Sequence, residues 1–194
     1  MADELELLQR WRGGDEAAGA ELFRHYFPPL RRFFRNKIAP EDVEDVLQRV
    51  FLACVESREA FRGDSSFRTY LFTIARHELY RHIRKRAHDL VGRGLDVTMT
   101  SIAELALSPS SAIARDEQHA LILGALQRLS IEQQLMLELK YWENLSSAEI
   151  AAIMEIAEAT VRTRLFRARQ ALRAELHATL GERGLDGVVA AARP

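Results

Sequence analysis

Apolar residues recur along this 194-residue chain with the spacing of an α-helix. One stripe, at intervals of three and four residues, consists of Val43, Val46, Leu47, Val50 and Cys54. Two more stripes consist of Phe72, Ala75, Leu79 and Ile83, and of Ile122, Ala125, Leu126 and Leu129. No run of residues alternates between apolar and polar as a half-buried β-strand does. The pattern therefore predicts an all-α protein.

Capping residues indicate where several of these helices begin. Asp15 can cap a helix that runs toward Tyr26, and Pro28-Pro29 predicts a break in that helix. Ser65 or Ser66 can cap a later helix. Two further helices are expected to begin at segments with the capping-box spacing, which are Ser130-Ile-Glu-Gln133 and Ser146-Ser-Ala-Glu149.

The composition changes between residues 87 and 111. This stretch contains the residues typical of a linker, namely Gly92, Gly94, Asp96, Thr98, Thr100, Ser108, Pro109, Ser110 and Ser111. Fully extended, such a linker can reach about 80 Å. We therefore predict two small helical domains, residues 1–88 and 112–180, joined by a flexible linker over residues 89–111 and followed by a tail over residues 181–194.

The overall composition limits the class of protein. Hydrophobic residues make up 47% of the chain and charged residues 28%, which suits globular structure in one or two modest domains. The single cysteine, Cys54, excludes an intramolecular disulfide and a cysteine-based zinc cluster. The N-terminus is acidic, and no apolar run approaches the roughly 18 residues needed to cross a bilayer. We therefore expect no membrane insertion and a cytoplasmic location.

Charge is distributed unevenly, although the formal net charge is only −1. Residues 40–59 are rich in acidic side chains, whereas residues 67–88 are rich in basic ones. A second basic stretch carries Arg162, Arg164, Arg167, Arg169 and Arg173. Opposed patches of this kind favour two kinds of partner surface. Ordinary solvated helix faces are the alternative.

The segment from Leu145 to Leu172 has the organisation of a helix-turn-helix module, winged-helix-like but without a wing. A short helix around Ile150 precedes a tight connection at residues 155–157 and a second helix. The predicted buried stripe of the second helix consists of Val161, Leu165, Ala168 and Leu172. Such a helix can enter a major groove, where arginine reaches guanine bidentately and neighbouring guanidinium groups hold phosphates. The alternative is a helical hairpin with a solvated arginine face.

Three runs in the second half of the chain carry a recognisable pattern. They are Ala125-Leu-Gln-Arg-Leu-Ser130, Tyr141-Trp-Glu-Asn-Leu-Ser-Ser-Ala-Glu-Ile-Ala-Ala-Ile153 and Thr160-Val-Arg-Thr-Arg-Leu-Phe-Arg-Ala-Arg-Gln-Ala-Leu172. These runs resemble region 4 of the extracytoplasmic-function sigma factors of bacterial RNA polymerase, which reads the −35 promoter element. The resemblance implies −35 contacts from Glu158, Thr160, Arg162, Thr163, Arg164 and Arg167.

The turn of this module departs from the family pattern. Glu155 stands where a turn glycine is usual, Ala157 replaces a small hydroxyl cap, and Ala159 replaces another frequent glycine. We therefore expect the turn to be built without the residue best suited to a positive φ.

The run Pro40-Glu-Asp-Val-Glu-Asp-Val-Leu-Gln-Arg-Val-Phe51 resembles region 2.2 of the same family, the helix that grips the clamp coiled coil of RNA polymerase. The resemblance implies polymerase contacts from Asp42, Glu44, Asp45, Gln48 and Phe51. An exposed acidic row suits a basic partner helix, because charge sets orientation and association rate. Acids at this position also complement the dipole at the N-terminus of the helix. Both interpretations can hold.

The run from Phe61 to His77, Phe61-Arg-Gly-Asp-Ser-Ser-Phe-Arg-Thr-Tyr-Leu-Phe-Thr-Ile-Ala-Arg-His77, resembles regions 2.3 and 2.4, which capture the melted −10 element. The residues implied in −10 contacts are Phe61, Arg62, Ser66, Arg68, Tyr70, Arg76, His77 and Arg81. An unpaired base needs an aromatic face to replace its lost stacking. Phe67 and Phe72 are expected in the core, whereas Phe61 and Tyr70 remain open between the core and base capture. The basic run from Arg81 to Arg86 is expected to hold phosphates.

The sequence thus predicts an alternative sigma factor that binds core RNA polymerase and promoter DNA, with an anti-sigma protein as a further candidate partner. A polymerase-independent helix-turn-helix regulator is the main alternative, and a helical adaptor that binds only protein is another. His77 and His82 lie five residues apart, which turns them about 140° from each other on a helix, so they cannot share one metal ion. We therefore expect no metal, no cofactor and no catalytic residue.

Overall fold

The computed structural model describes residues 4–61, 63, 65–91 and 117–180. Within these ranges the chain forms eight α-helices and no β-strand, which confirms the predicted all-α class. None of the helices described is both long and apolar enough to cross a bilayer. The predicted linker lies outside the described residues except for residues 89–91, which continue a helix, and the predicted tail lies outside them entirely.

Two compact units are present. The first is built mainly from α1 (Glu4–Arg12), α2 (Glu16–Arg35), α3 (Val43–Glu56) and α4 (Phe67–Val91). The second is built mainly from α5 (Glu117–Gln127), α6 (Ile131–Tyr141), α7 (Ser147–Met154) and α8 (Glu158–Leu180). Short 3-10 turns at Pro40–Asp42 and Arg58–Ala60 flank α3.

Helix α2 begins as predicted but does not break at its proline pair. Asp15 caps it, accepting a 3.1 Å hydrogen bond from the backbone N–H of Ala18. The predicted break at Pro28-Pro29 is wrong, because the helix continues to Arg35. The prolines deprive the carbonyls of residues 24 and 25 of donors, and these residues are exposed, so water can take the donors' place. Buried residues on both sides of the pair hold the helix together: Leu22, Tyr26, Leu30, Phe33 and Phe34.

The core of the first unit is formed by the predicted stripes and a group of aromatic rings. Every residue of the predicted α3 and α4 stripes is buried. Phe67 at the start of α4 meets the rings of Trp11 and Tyr26, with centroids 5.8 and 5.5 Å away. Gly19 of α2 makes room for Trp11, because a Cβ atom there would lie 2.3 Å from the indole Cδ1. Helix α1 is thereby packed against both α2 and α4.

Both predicted capping boxes are present in the second unit. Ser130 and Gln133 exchange side-chain and backbone hydrogen bonds at the start of α6. At the start of α7, the backbone N–H of Glu149 donates to Ser146 Oγ at 3.2 Å, and the N–H of Ser146 donates to the Glu149 carboxylate at 2.9 Å. Helix α8 packs against α6 and α5. Its contact with α5 involves Ile122, Ala125, Leu172 and Leu176.

Candidate functional site

The turn between α7 and α8 adopts a left-handed conformation at Glu155. Its φ is +54°, in the region that favours glycine. The position where the family pattern has a glycine therefore keeps a left-handed backbone here, although a glutamate occupies it. Holding a non-glycine residue there costs about 1–2 kcal/mol. The turn is otherwise regular, since the N–H of Thr160 donates to the carbonyl of Ala157 at 2.9 Å as α8 begins.

The outer face of α8 carries most of the residues expected to contact the −35 element. Val161, Leu165 and Ala168 are buried, and Leu172 is half-buried. Four of the expected contact residues are exposed: Glu158, Arg162, Thr163 and Arg167. Thr160 is half-buried. Three exposed residues absent from the expected set complete the face: Phe166, Arg169 and Arg173.

Arg164 does not belong to this outer face. Its guanidinium forms a close ion pair with Glu132, in the first turn of α6. A contact between Arg164 and DNA, as expected from the sequence, would require the arginine to leave this carboxylate. A second polar contact links the same helices, in which Arg169 Nη1 donates to the Tyr141 hydroxyl at 3.3 Å. The side chains of α6 thus help to hold α8 in place.

The residues expected to bind polymerase divide into two groups on α3. Glu44, Asp45 and Gln48 are exposed, and Glu44 forms a 3.1 Å ion pair with Arg31 of α2. Asp42 differs, because its carboxylate is directed toward α4 and pairs with Arg86. The acidic row on the outer face therefore begins at Glu44 and does not include Asp42.

Apolar side chains extend this acidic row, and the sequence interpretation missed them. Leu52 and Val55 are 56% and 44% exposed, and they lie four and seven residues after Gln48 on the same side of α3. Phe51 is half-buried, and its ring is 6.4 Å from that of Phe27, which is 37% exposed. We call the exposed surface formed by Glu44, Asp45, Gln48, Phe51, Leu52, Val55 and Phe27 the α3 face. Leu52 and Val55 could have been found from the sequence, since both are apolar yet lie off the buried stripe.

The segment expected to capture the −10 element is packed by its own aromatic rings. Phe61 is only 4% exposed, with its ring 4.8 Å from that of Tyr70 and 6.1 Å from that of Phe67. Of the two interpretations left open for Phe61, this burial favours the core over a stacking face for a base. Phe67 and Phe72 are buried, as expected. Arg62 lies outside the described residues.

Tyr70 ties the start of α4 to the end of α3, and Ser66 caps α4. The Tyr70 hydroxyl lies 2.5 Å from Ser57 Oγ and donates to the Ser57 carbonyl at 3.1 Å. Burial raises the pKa of Tyr70, so the hydroxyl keeps its proton at neutral pH. Ser66 caps α4, because its Oγ accepts from the N–H of Thr69 at 3.1 Å. Tyr70 is half-buried, so its ring remains partly accessible to solvent.

The basic residues of α4 lie on more than one face. Arg68 is half-buried, His77 is exposed, and the guanidinium of Arg76 lies over the ring of Tyr80 at 5.9 Å. Arg81 forms a 3.2 Å ion pair with Glu78, yet 70% of its side chain is exposed. Its helical neighbours on the outward face of α4 are Arg84, Lys85 and His88. Among the described residues, no group of three or more histidine, cysteine or acidic side chains is arranged to hold a metal ion.

Comparison with known proteins adds independent information. The family model for Sigma-70 region 2 matches residues 22–88, and the model for Sigma-70 region 4 matches residues 119–172. The RNA polymerase sigma-H factor of Pseudomonas aeruginosa is 32% identical over 191 residues, covering 91% of this chain and 95% of that protein. The chain belongs to the extracytoplasmic-function sigma factors of bacterial RNA polymerase.

Two further relatives agree with this family. The ECF RNA polymerase sigma-E factor of Escherichia coli K12 is 27% identical over 173 residues, covering 86% of this sigma factor and 90% of that one. The sigma factor RpoE of Bartonella quintana, solved in complex with the anti-sigma factor NepR, superposes with a TM-score of 0.65 at 26% identity. That match covers 81% of this sigma factor and 95% of the solved chain. The α3 face thus lies within the region 2 match, and α8 from Glu158 to Leu172 lies within the region 4 match.

Proposed function

We propose that this sigma factor docks on core RNA polymerase through the α3 face, captures the melted −10 element with α4, and reads the −35 element with α8. In this proposal residues 1–88 form the first functional domain, residues 112–180 form the second, and residues 89–111 join them. The main observation in support of this proposal is that two helices present unlike surfaces to solvent. The α3 face is acidic and apolar, whereas the outer face of α8 is rich in arginine.

The composition of the α3 face supports docking on a basic helix of the polymerase. Glu44, Asp45 and Gln48 supply charge and hydrogen-bonding groups, which orient an approaching basic partner. Leu52 and Phe51 supply apolar area next to them, and burial of such area contributes most of the affinity at protein interfaces. A surface with both parts can be steered by charge and then held by apolar contact.

The geometry of α8 supports a division of its exposed residues by role. Glu158, Arg162 and Thr163 lie in the first two turns, the part of a recognition helix that reaches base edges. Arg162 is suited to guanine, because its two-pronged guanidinium matches two acceptors on that base. Arg167 lies further along the helix and is suited to phosphate. Thr160 is half-buried in the first turn of α8, and in this proposal that turn lies next to the DNA.

For the −10 element, the proposal assigns roles to the side chains of α4 that remain accessible. The partly open ring of Tyr70 is suited to stacking on an unpaired base. Arg81 and His77 are suited to the strand's phosphates, because both are exposed. Arg68, Arg76 and Ser66 lie on the same helix or at its cap, and they are the other members of the expected set apart from Phe61 and Arg62.

The cellular setting follows from the same proposal. A protein that works on RNA polymerase acts in the cytoplasm, and we expect it to have no catalytic activity of its own. The solved relative from Bartonella quintana is bound to an anti-sigma factor. We therefore also propose that an anti-sigma protein controls the access of this sigma factor to polymerase.

Transcription by core RNA polymerase on a promoter library, with and without the chain, tests the proposal. We expect promoter-specific initiation only when both are present, and weak DNA binding by the chain alone. Asp45→Arg should abolish initiation and core binding together, because the new arginine would repel a basic partner helix. Asp89→Arg, an equal charge change at the exposed C-terminal end of α4, is the control. A chain that gains no promoter activity with core, yet binds palindromic DNA tightly by itself, would instead be a polymerase-independent regulator.

A further inference from the structure

The carboxylate of Asp42 is occupied within the first unit. Asp42 stands at the N-cap position of α3, yet its side chain makes no capping hydrogen bond there. Its Oδ2 accepts a close hydrogen bond from Arg86 Nη2 and lies 3.5 Å from His82 Nε2, both on α4. Only 24% of the Asp42 side chain is exposed. The side chains that this carboxylate contacts, Arg86 and His82, therefore both belong to α4 of the same unit.

A second group of ion pairs joins the same two helices further along. Glu78 of α4 lies 3.4 Å from Arg49 of α3 and 3.2 Å from Arg81. Glu78, His82 and Arg86 follow one another at intervals of four residues, which places them on one face of α4. Toward α3, this face therefore presents basic groups at one end and an acidic group at the other.

This arrangement of charge specifies one register between α3 and α4. The helices run antiparallel, because the start of α3 meets the last turns of α4. Sliding α4 by one turn in one direction would put His82 in the place of Arg86 beside Asp42 and would bring Glu78, a second acid, next to it. Sliding it the other way would bring Arg49 opposite His82 and separate it from Glu78. Either error separates Arg49 from Glu78, and like-charge contacts disfavour a wrong arrangement.

We propose that Asp42 is a positioning residue, which with Arg86 and His82 holds the polymerase-docking helix α3 in register with the DNA-binding helix α4 and does not itself contact polymerase. The inference rests on the docking role proposed above for the α3 face. Arg86 then acts on polymerase binding, although the sequence places it in a stretch expected to hold phosphates. Asp42, at the start of α3, thus acts within the fold and not in the contact with polymerase.

Charge exchange separates this role from direct contact. The affinity of the full-length chain for core RNA polymerase is measured for Asp42→Arg, for Arg86→Asp and for the variant that carries both changes. We expect each single change to weaken binding about tenfold, because it creates a repulsive pair between α3 and α4. The double variant restores attraction and should return to within about threefold of the wild type. Arg12→Asp, the same charge change at an exposed position at the end of α1, is the matched control and should leave core affinity unchanged.

Two results would overturn the proposal. In the first, Asp42→Arg binds core equally weakly alone and in the double variant, which means that the carboxylate touches polymerase. In the second, Arg86→Asp binds core as the wild type does. If a single variant fails to fold by circular dichroism, the comparison between the double variant and the wild type carries the test.

Urea unfolding of the same variants without polymerase gives a separate measurement. We expect the double variant to be more stable than the sum of the two single effects predicts, and additive effects would contradict the pairing. If the wild-type chain does not bind core at all, the docking function itself fails. The unfolding data would still report on Asp42 and Arg86, so the two failures are distinguishable.

Discussion

The exposed leucine of α3 allows the docking surface to be tested quantitatively. Leu52 is 56% exposed in the free chain. Complete burial of a leucine side chain is worth about 1.5–3 kcal/mol, so covering the exposed half on polymerase would contribute about 1–1.5 kcal/mol. Leu52→Ala removes most of that contact while losing little within the fold. We expect the dissociation constant for core RNA polymerase to rise about fivefold to tenfold.

The chain offers a matched control for this experiment. Leu5, on α1, is 58% exposed and lies outside the α3 face, so Leu5→Ala makes the same change at nearly the same exposure. Fluorescence anisotropy of the labelled chain, titrated with core polymerase, measures both affinities, and thermal unfolding checks that both variants fold. Binding of Leu52→Ala as tight as that of the wild type would contradict a docking role for Leu52. An equal loss of affinity in Leu5→Ala would contradict it as well.

Three further predictions concern other parts of the chain. Arg162→Ala should cost about 1–3 kcal/mol in promoter use and relax preference at one upstream base pair, measured by transcription across −35 variants; a uniform loss would assign the residue to phosphate. Gly19→Ala should destabilise the fold by about 1–3 kcal/mol in urea unfolding because its Cβ meets Trp11, and a stabilised variant would contradict this. Gly124→Ala, with open space around it, should stabilise by about 0.5–1 kcal/mol, and a destabilised variant would contradict this. Burial lowers the pKa of His82 below its ordinary 6.5. The stability that the neutral imidazole contributes is therefore present above pH 6.5 and is lost as the pH falls through the folded-state pKa. His82→Gln should remove this part of the pH dependence of the unfolding free energy, and a pH profile equal to that of the wild type would refute the prediction.

Local structure was accessible from the sequence because its signals are themselves local. Helical periodicity located the buried stripes of α3 and α4, and Ser130 and Ser146 marked two helix starts. Pro28-Pro29 misled for a physical reason. A proline removes backbone hydrogen bonds. Its presence in the sequence does not show whether buried residues on either side stabilise the helix across the missing bonds.

The candidate sites were less accessible because they depend on pairs of residues far apart in sequence. Asp42 and Arg86, and likewise Glu132 and Arg164, are brought together only by the packing of one helix on another. A pattern read along one helix predicted Asp42, Arg86 and Arg164 to be available to partners and could not show the residues that pair with them. Phe61 was open between the core and base capture for the same reason, since its burial depends on Tyr70 and Phe67.

The attachment of α8 has a consequence for how promoter preference can diverge. The side chains that anchor this helix are Arg164, through Glu132, and the buried residues Val161, Leu165 and Ala168. Arg162 and Thr163 alternate with them along the chain but point outward. Under the −35 role proposed for α8, mutations at these outward positions alter which bases are preferred without loosening the scaffold that presents them. A duplicated copy of this chain could acquire a new set of target genes through a few such substitutions.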